Sequence, residues 1–132
     1  MPEVNYVAVV VAALSAFLLG GLWYSPLLFA NRWMALTGQS EETLKSGSMG
    51  MIFGGAFLLN LIAAYVFALF LGPAPELKFA TGAGFAAGLC WVMTAFGINY
   101  LFERRPLGLW MINGLYFTIQ FTLFGLILGL IG

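Results

Sequence analysis

Four uncharged, predominantly apolar runs divide the chain, from about Val4 to Tyr24, Ser48 to Leu71, Phe79 to Phe102 and Leu107 to Ile131. Each exceeds the roughly 18 residues that separate a membrane span from a buried core helix. Backbone groups in hydrocarbon must bond within their own segment, so the pattern predicts four transmembrane helices. The breaks carry stop chemistry. Pro26 disfavours helical geometry at Ser25 and ends the first run. Gly72-Pro73-Ala74-Pro75 ends the second, and Glu103-Arg104-Arg105-Pro106 ends the third with charge that cannot enter a bilayer.

The first connection, Ser25 to Gly47, is the longest. Its stretch Leu27 to Leu36 mixes Leu28, Phe29, Trp33 and Leu36 with Asn31 and Arg32, which predicts a short interfacial helix. Gly38 would close that helix in a left-handed conformation. Ser40 would then N-cap a polar turn in which Glu41 and Lys45 pair at i,i+4. This turn is expected to run straight into the second span.

Composition strengthens the membrane reading. Hydrophobic residues make up 62% and charged residues 8% of 132, against about 25% charged in soluble domains. The predicted fold is one all-α domain over 1–132, an integral membrane four-helix bundle with the interfacial helix between spans one and two. Membrane lipid is its expected partner. The zero net charge gives no sign of nucleic acid. The opening Met1-Pro2-Glu3 lacks the basic segment of a secretory leader, so the first run is expected to be retained. Cys90 has no second cysteine in the chain and is expected to be a small buried hydrophobe.

Short-loop charge sets orientation. Arg32 and Lys45 lie in the first connection and Arg104 and Arg105 in the third, whereas the second holds only Lys78. The first and third connections are therefore expected in the cytoplasm and both termini outside. Trp23, Tyr24, Trp33, Tyr100 and Trp110 would form an aromatic belt on the cytoplasmic side. A faint echo relates Gly21-Leu22-Trp23-Tyr24 with Trp33-Met34 to Gly97-Ile98-Asn99-Tyr100 with Trp110-Met111. It fits either two hairpins related along the membrane normal or a coincidence of aromatic belts.

Seventeen glycines would weaken a soluble bundle but permit close helix approach in lipid. Small residues recur four apart at Ala12, Ala16 and Gly20, at Gly50 and Gly54, at Ala80, Gly84 and Gly88, and at Gly125 and Gly129. On the fourth span, Asn113, Tyr116 and Gln120 form one stripe, and Thr118, Thr122, Gly125 and Gly129 another. If one packs inside the protomer and the other outside, the protein is a homo-oligomer. If both pack within one bundle, the stripes need no second copy.

There is no histidine and no aspartate, and every glutamate lies at or beyond a span end. That pattern offers no metal cluster, no Ser-His triad at Ser25 and no ionisable group for proton coupling inside a span. No cofactor is implied, and the chain is not expected to be an enzyme. Neutral polar residues remain. Asn60 and Gln120 are predicted at one depth near the midplane. They either line a site for a polar solute or lipid headgroup, or bond one another as interhelical glue. Asn99, Asn113, Tyr116, Arg104 and Arg105 gather towards the cytoplasmic end with Trp23, Tyr24 and Ser25. They form either a pocket for an anionic or amphipathic ligand or ordinary interfacial anchoring. Glu103 is expected to pair with Arg32 or a neighbouring arginine. Trp91 is expected to fill the groove beside Gly84, Ala87 and Gly88.

Gly21-Leu22-Trp23-Tyr24-Ser25-Pro26-Leu27-Leu28-Phe29, followed by Trp33 and Gly38, resembles the opening signature of the DUF1761 family. Ile98-Asn99-Tyr100-Leu101-Phe102-Glu103-Arg104-Arg105-Pro106, followed by Asn113, resembles its second signature. Ala30 stands where the family leads one to expect glycine. The resemblance implies a small multi-span membrane protein, mainly bacterial and hence of the inner membrane. It directs attention to the two signatures but implies no activity.

Three functions compete. Asn60, Gln120 and the polar stripe favour binding or transport of a small polar or amphipathic solute or lipid. The glycine faces favour a structural or accessory role through self-association or a larger complex. An enzyme that holds an anionic thiol on Arg104, Arg105 and Tyr116 is the third, but the charged span motif of membrane glutathione transferases is absent.

Overall fold

The computed structural model describes residues 4–132. Met1–Glu3, on which the expectation about a leader rests, lies outside the described residues. Helix α1 (Tyr6–Trp23) is followed by the short helices α2 (Ala30–Thr37) and α3 (Glu41–Lys45) and by α4 (Met49–Leu71). The third span, Leu77–Glu103, consists of α5 (Leu77–Ala87), a π-helical segment (Gly88–Met93) and α6 (Thr94–Glu103). Helix α7 (Leu107–Ile131) completes the bundle. Four helices are long and apolar enough to cross a membrane, and each lies within about two residues of its predicted run.

The connections carry the predicted caps, with two corrections. Gly38 closes α2 at φ 76°, and Ser40 caps α3 in a reciprocal box with Thr43. Helix α3 does not run into the second span. It stops at Ser46, and Ser48 starts α4 by accepting from Met51 N–H. Glu41 and Lys45 form no ion pair among the described residues; the one pair found joins Arg105 to Glu103 at 3.7 Å. Both partners are about half exposed, so the pair adds little stability. Arg104 is the left-handed cap of α6 at φ 59°, which lets Arg105 N–H reach the Tyr100 carbonyl.

Helix α7 is the centre of the bundle. It packs against α1 on one side and along the whole third span on the other. Helix α4 leans chiefly on α1 and meets α7 only at an edge. Ala64, Phe67 and Ala68 are buried, whereas Met51, Ile52 and Phe53 at the other end of α4 are exposed. The helix is thus seated at the end that carries the chain termini and splayed at the opposite end. The latter holds the two signature segments and is called the signature end below. No packing between α4 and the third span matches that of α1 on α7. The echoed segments are therefore not two equivalent hairpins.

Small residues decide which helices touch. A Cβ on Gly84 would fall 2.1 Å from the Phe121 carbonyl oxygen, and one on Gly125 2.0 Å from that of Ala80. On Gly88 it would meet Thr118 Cα at 2.6 Å. Backbone therefore lies directly on backbone between the third span and α7. Gly50 and Gly54, which have the same spacing, have nothing within 4 Å. Both stripes of α7 are occupied inside the protomer. Gly125 and Gly129 press on Ala80 and Leu77, while Tyr116 and Asn113 bond to α1 or its cap. The stripes therefore need no second copy to cover them.

Two residues of the third span differ from expectation. Cys90 is exposed, not buried. Trp91 is 67% exposed, and α7 backbone rather than its ring fills the space beside Gly84 and Gly88. The physical cause is the solvent: a helix in lipid can turn large apolar groups outward without cost and reserve its small residues for contact.

Candidate functional site

Asn113 is the hub of the signature end. Its Oδ1 accepts from the Tyr24 hydroxyl at 2.7 Å, and its Nδ2 donates to the Tyr100 hydroxyl at 2.8 Å. One residue of α7 thus ties the cap of α1 to the end of α6 and joins the two signatures. Trp23 Nε1 donates to the Ile112 carbonyl at 3.0 Å, and Tyr116 donates to the Ala16 carbonyl at 2.9 Å. The ring of Tyr24 meets those of Tyr116 and Trp33 edge-on. These aromatics are not simply a belt reaching for headgroups, since four of the hydroxyl and indole groups bond inward to other helices.

A fifth inward bond holds the π-helical segment. Trp110 Nε1 donates to the Met93 carbonyl at 2.8 Å, and the Thr94 hydroxyl donates to the Cys90 and Trp91 carbonyls. A π turn interrupts the regular ladder, and such turns concentrate at functional sites. Here the side chains of Trp110 and Thr94 satisfy its end. Ser25 donates to the Leu22 carbonyl, and Pro26 begins the compact turn that sets the ring of Phe29 tilted against Trp23, with centroids 4.7 Å apart.

Splaying of α4 leaves a cleft between it and the third span, with α7 as its floor. At the signature end the cleft has a volume of about 630 Å³. Its walls are Met49, Ile52 and Phe53 of α4 and Phe96 of α6, and its floor is Asn113 and Phe117. Its lid is the connection after α1: Tyr24, Pro26, Ala30, Asn31, Trp33, Met34, Glu41 and Leu44. A second, separately lined hollow of about 270 Å³ lies towards the end that carries the termini, where Ala63, Val66, Phe67 and Phe70 of α4 face Ala87, Trp91 and Val92 across Phe121 with no polar lining. Asn113, Phe117 and Phe121 recur every four residues, so one stripe of α7 borders both hollows, which share no lining residue.

The remaining candidates scatter. Gln120 is buried, and its Oε1 has no hydrogen-bond partner. Asn60 is half-buried on α4, and among the described residues no hydrogen bond joins it to Gln120. Their helices meet only at an edge, so the proposed glue is not formed. Asn99 is exposed at the outer face of α6. Arg105 lines a separate hollow of about 240 Å³ with Gly97, Tyr100 and Trp110. Arg104 is exposed at the end of α6, and Tyr116 is buried with its hydroxyl donating to the Ala16 carbonyl, so Tyr116 is not free to join the arginines at one anion. Missed by sequence reasoning were the cleft, Trp110 on the π segment, and Asn5, which caps α1 and donates to the Ile131 carbonyl at 2.7 Å. Among the described residues no cluster of metal-ligating side chains exists.

Four apolar spans, latched at one end by aromatic and amide side chains, define a small helical membrane protein. The chain belongs to the family described as "Protein of unknown function (DUF1761)", whose model matches residues 7–129. No curated protein and no solved structure matches it.

Proposed function

We propose that this protein binds an amphipathic molecule, a lipid or lipid-like solute, in the cleft between α4 and the third span. The carrying observation is the cleft's polarity gradient. Tyr24, Asn31, Asn113 and Glu41 lie at the signature end, and a section with no polar lining follows deeper in the bundle. A headgroup and chain fit that order, because apolar walls favour the chain and a few placed polar groups fix the head. The Lys and Arg distribution supports a cytoplasmic signature end and, with the family, a bacterial inner membrane.

Ala30→Trp tests the reading, since Ala30 lies in the cleft's lid and an indole there would occupy the headgroup section. Native mass spectrometry of protein released from nanodiscs is expected to show a discrete, non-bulk amphiphile on the wild type. The variant should retain roughly a tenth as much or less, a loss of about 1.4 kcal/mol in binding. Equal retention of the same molecule by both proteins would place it elsewhere.

A further inference from the structure

We infer that the cleft selects an amphiphile with a cationic, amine-type headgroup. The inference rests on the cleft being a binding site and concerns what it admits. Among the described residues that border the headgroup section the one acidic side chain is that of Glu41, and no lysine or arginine lines it. The nearby cations do not line it, although Lys45 stands one turn from Glu41 on α3. Arg32 turns towards Gly108 at the start of α7, Arg105 lines the separate hollow with Trp110, and Lys45 is exposed and does not line the cleft. Glu41 itself has no ion-pair partner among the described residues.

The walls fit the same ligand. Tyr24, Trp33, Phe53, Phe96 and Phe117 all border the section. Aromatic faces attract a cation through the ring quadrupole, most strongly where water is excluded. An anion would meet those faces and Glu41 with no positive group to offset its desolvation. Asn113 adds no charge; its Oδ1 accepts from Tyr24, and one of the two Nδ2 hydrogens goes to Tyr100. The deeper apolar section then receives an alkyl chain.

The test uses the full chain in nanodiscs of zwitterionic lipid, with binding to empty nanodiscs subtracted. The probes are dodecyltrimethylammonium, dodecyl sulfate and dodecyl maltoside, which share one chain length and differ in head charge. Saturable binding of the ammonium probe is expected, at least about tenfold tighter than either of the others. Glu41→Gln should erase that preference, Glu41→Asp should keep most of it, and Glu42→Gln, which leaves the cleft lining unchanged, should behave as wild type. Glu41 is exposed on a five-residue helix, so these variants leave the bundle intact. Saturable binding in which the sulfate or maltoside equals the ammonium probe, and which Ala30→Trp abolishes, would overturn the charge selection and leave the cleft reading standing. Saturable binding of none of the three would overturn both, and a dimer whose contact covers Phe53 and Phe96 would assign the cleft to a second copy instead.

Discussion

Gly125→Ala is expected to cost about 3 kcal/mol or more of stability, although it adds a single methyl group to a chain already rich in alanine. The added Cβ would sit 2.0 Å from the Ala80 carbonyl oxygen and 2.7 Å from its carbon. Those atoms belong to helix backbone, which cannot swing aside as a long side chain can. Helix α7 and the third span would have to separate along their length, carrying Gly84 away from Phe121 and Gly88 from Thr118. Gly54→Ala is the matched control. Nothing lies within 4 Å of its Cβ position, so its stability should stay within about 0.5 kcal/mol of the wild type. Denaturation of both variants in detergent, followed by circular dichroism, measures the difference. Equal behaviour would mean that the small residues of the third span and α7 are not in backbone contact.

Asn113→Leu carries the second large effect. It removes two interhelical hydrogen bonds at once, and each such bond in a membrane protein is worth about 0.6 to 2 kcal/mol. A loss of about 1 to 4 kcal/mol is expected. The leucine has the same branching and is no smaller, so the loss of the bonds with Tyr24 and Tyr100 is not compounded by a void. A double-mutant cycle with Tyr24→Phe separates the terms. Once Asn113 is leucine, Tyr24→Phe should cost almost nothing more; strict additivity would show that the amide and the phenol do not interact.

The latch explains why the two signatures stand at one end of the bundle. Their common end was legible from the basic residues and the order of the spans, as were the span limits and the caps at Gly38 and Ser40. The convergence on Asn113 was not, because the Tyr24 bond joins positions 89 residues apart. The centrality of α7 was also hidden. In water an apolar face marks the inside of a helix, but in lipid the outside is apolar too, and α1, α4 and α7 show no amphipathic contrast to orient them. Glycine spacing alone therefore could not distinguish Gly125, in backbone contact, from Gly54, which faces open space. The same blindness extends to α4. Nothing in its composition separates the seated half around Ala64 from the splayed half around Phe53, yet that difference creates the cleft.

A site for an amphipathic molecule along the floor of that cleft is best tested by photocrosslinking at Phe117, Phe121 and Ile119 in cell membranes. Phe117 and Phe121 border the two sections of the cleft, whereas Ile119 is exposed and lines neither. With benzoylphenylalanine at each position in turn, 117 and 121 should yield the same discrete adduct, and 119 a mixture matching the bulk phospholipid. Bulk phospholipid alone at all three positions, or crosslinks from 117 straight to α4, would contradict a ligand-filled cleft.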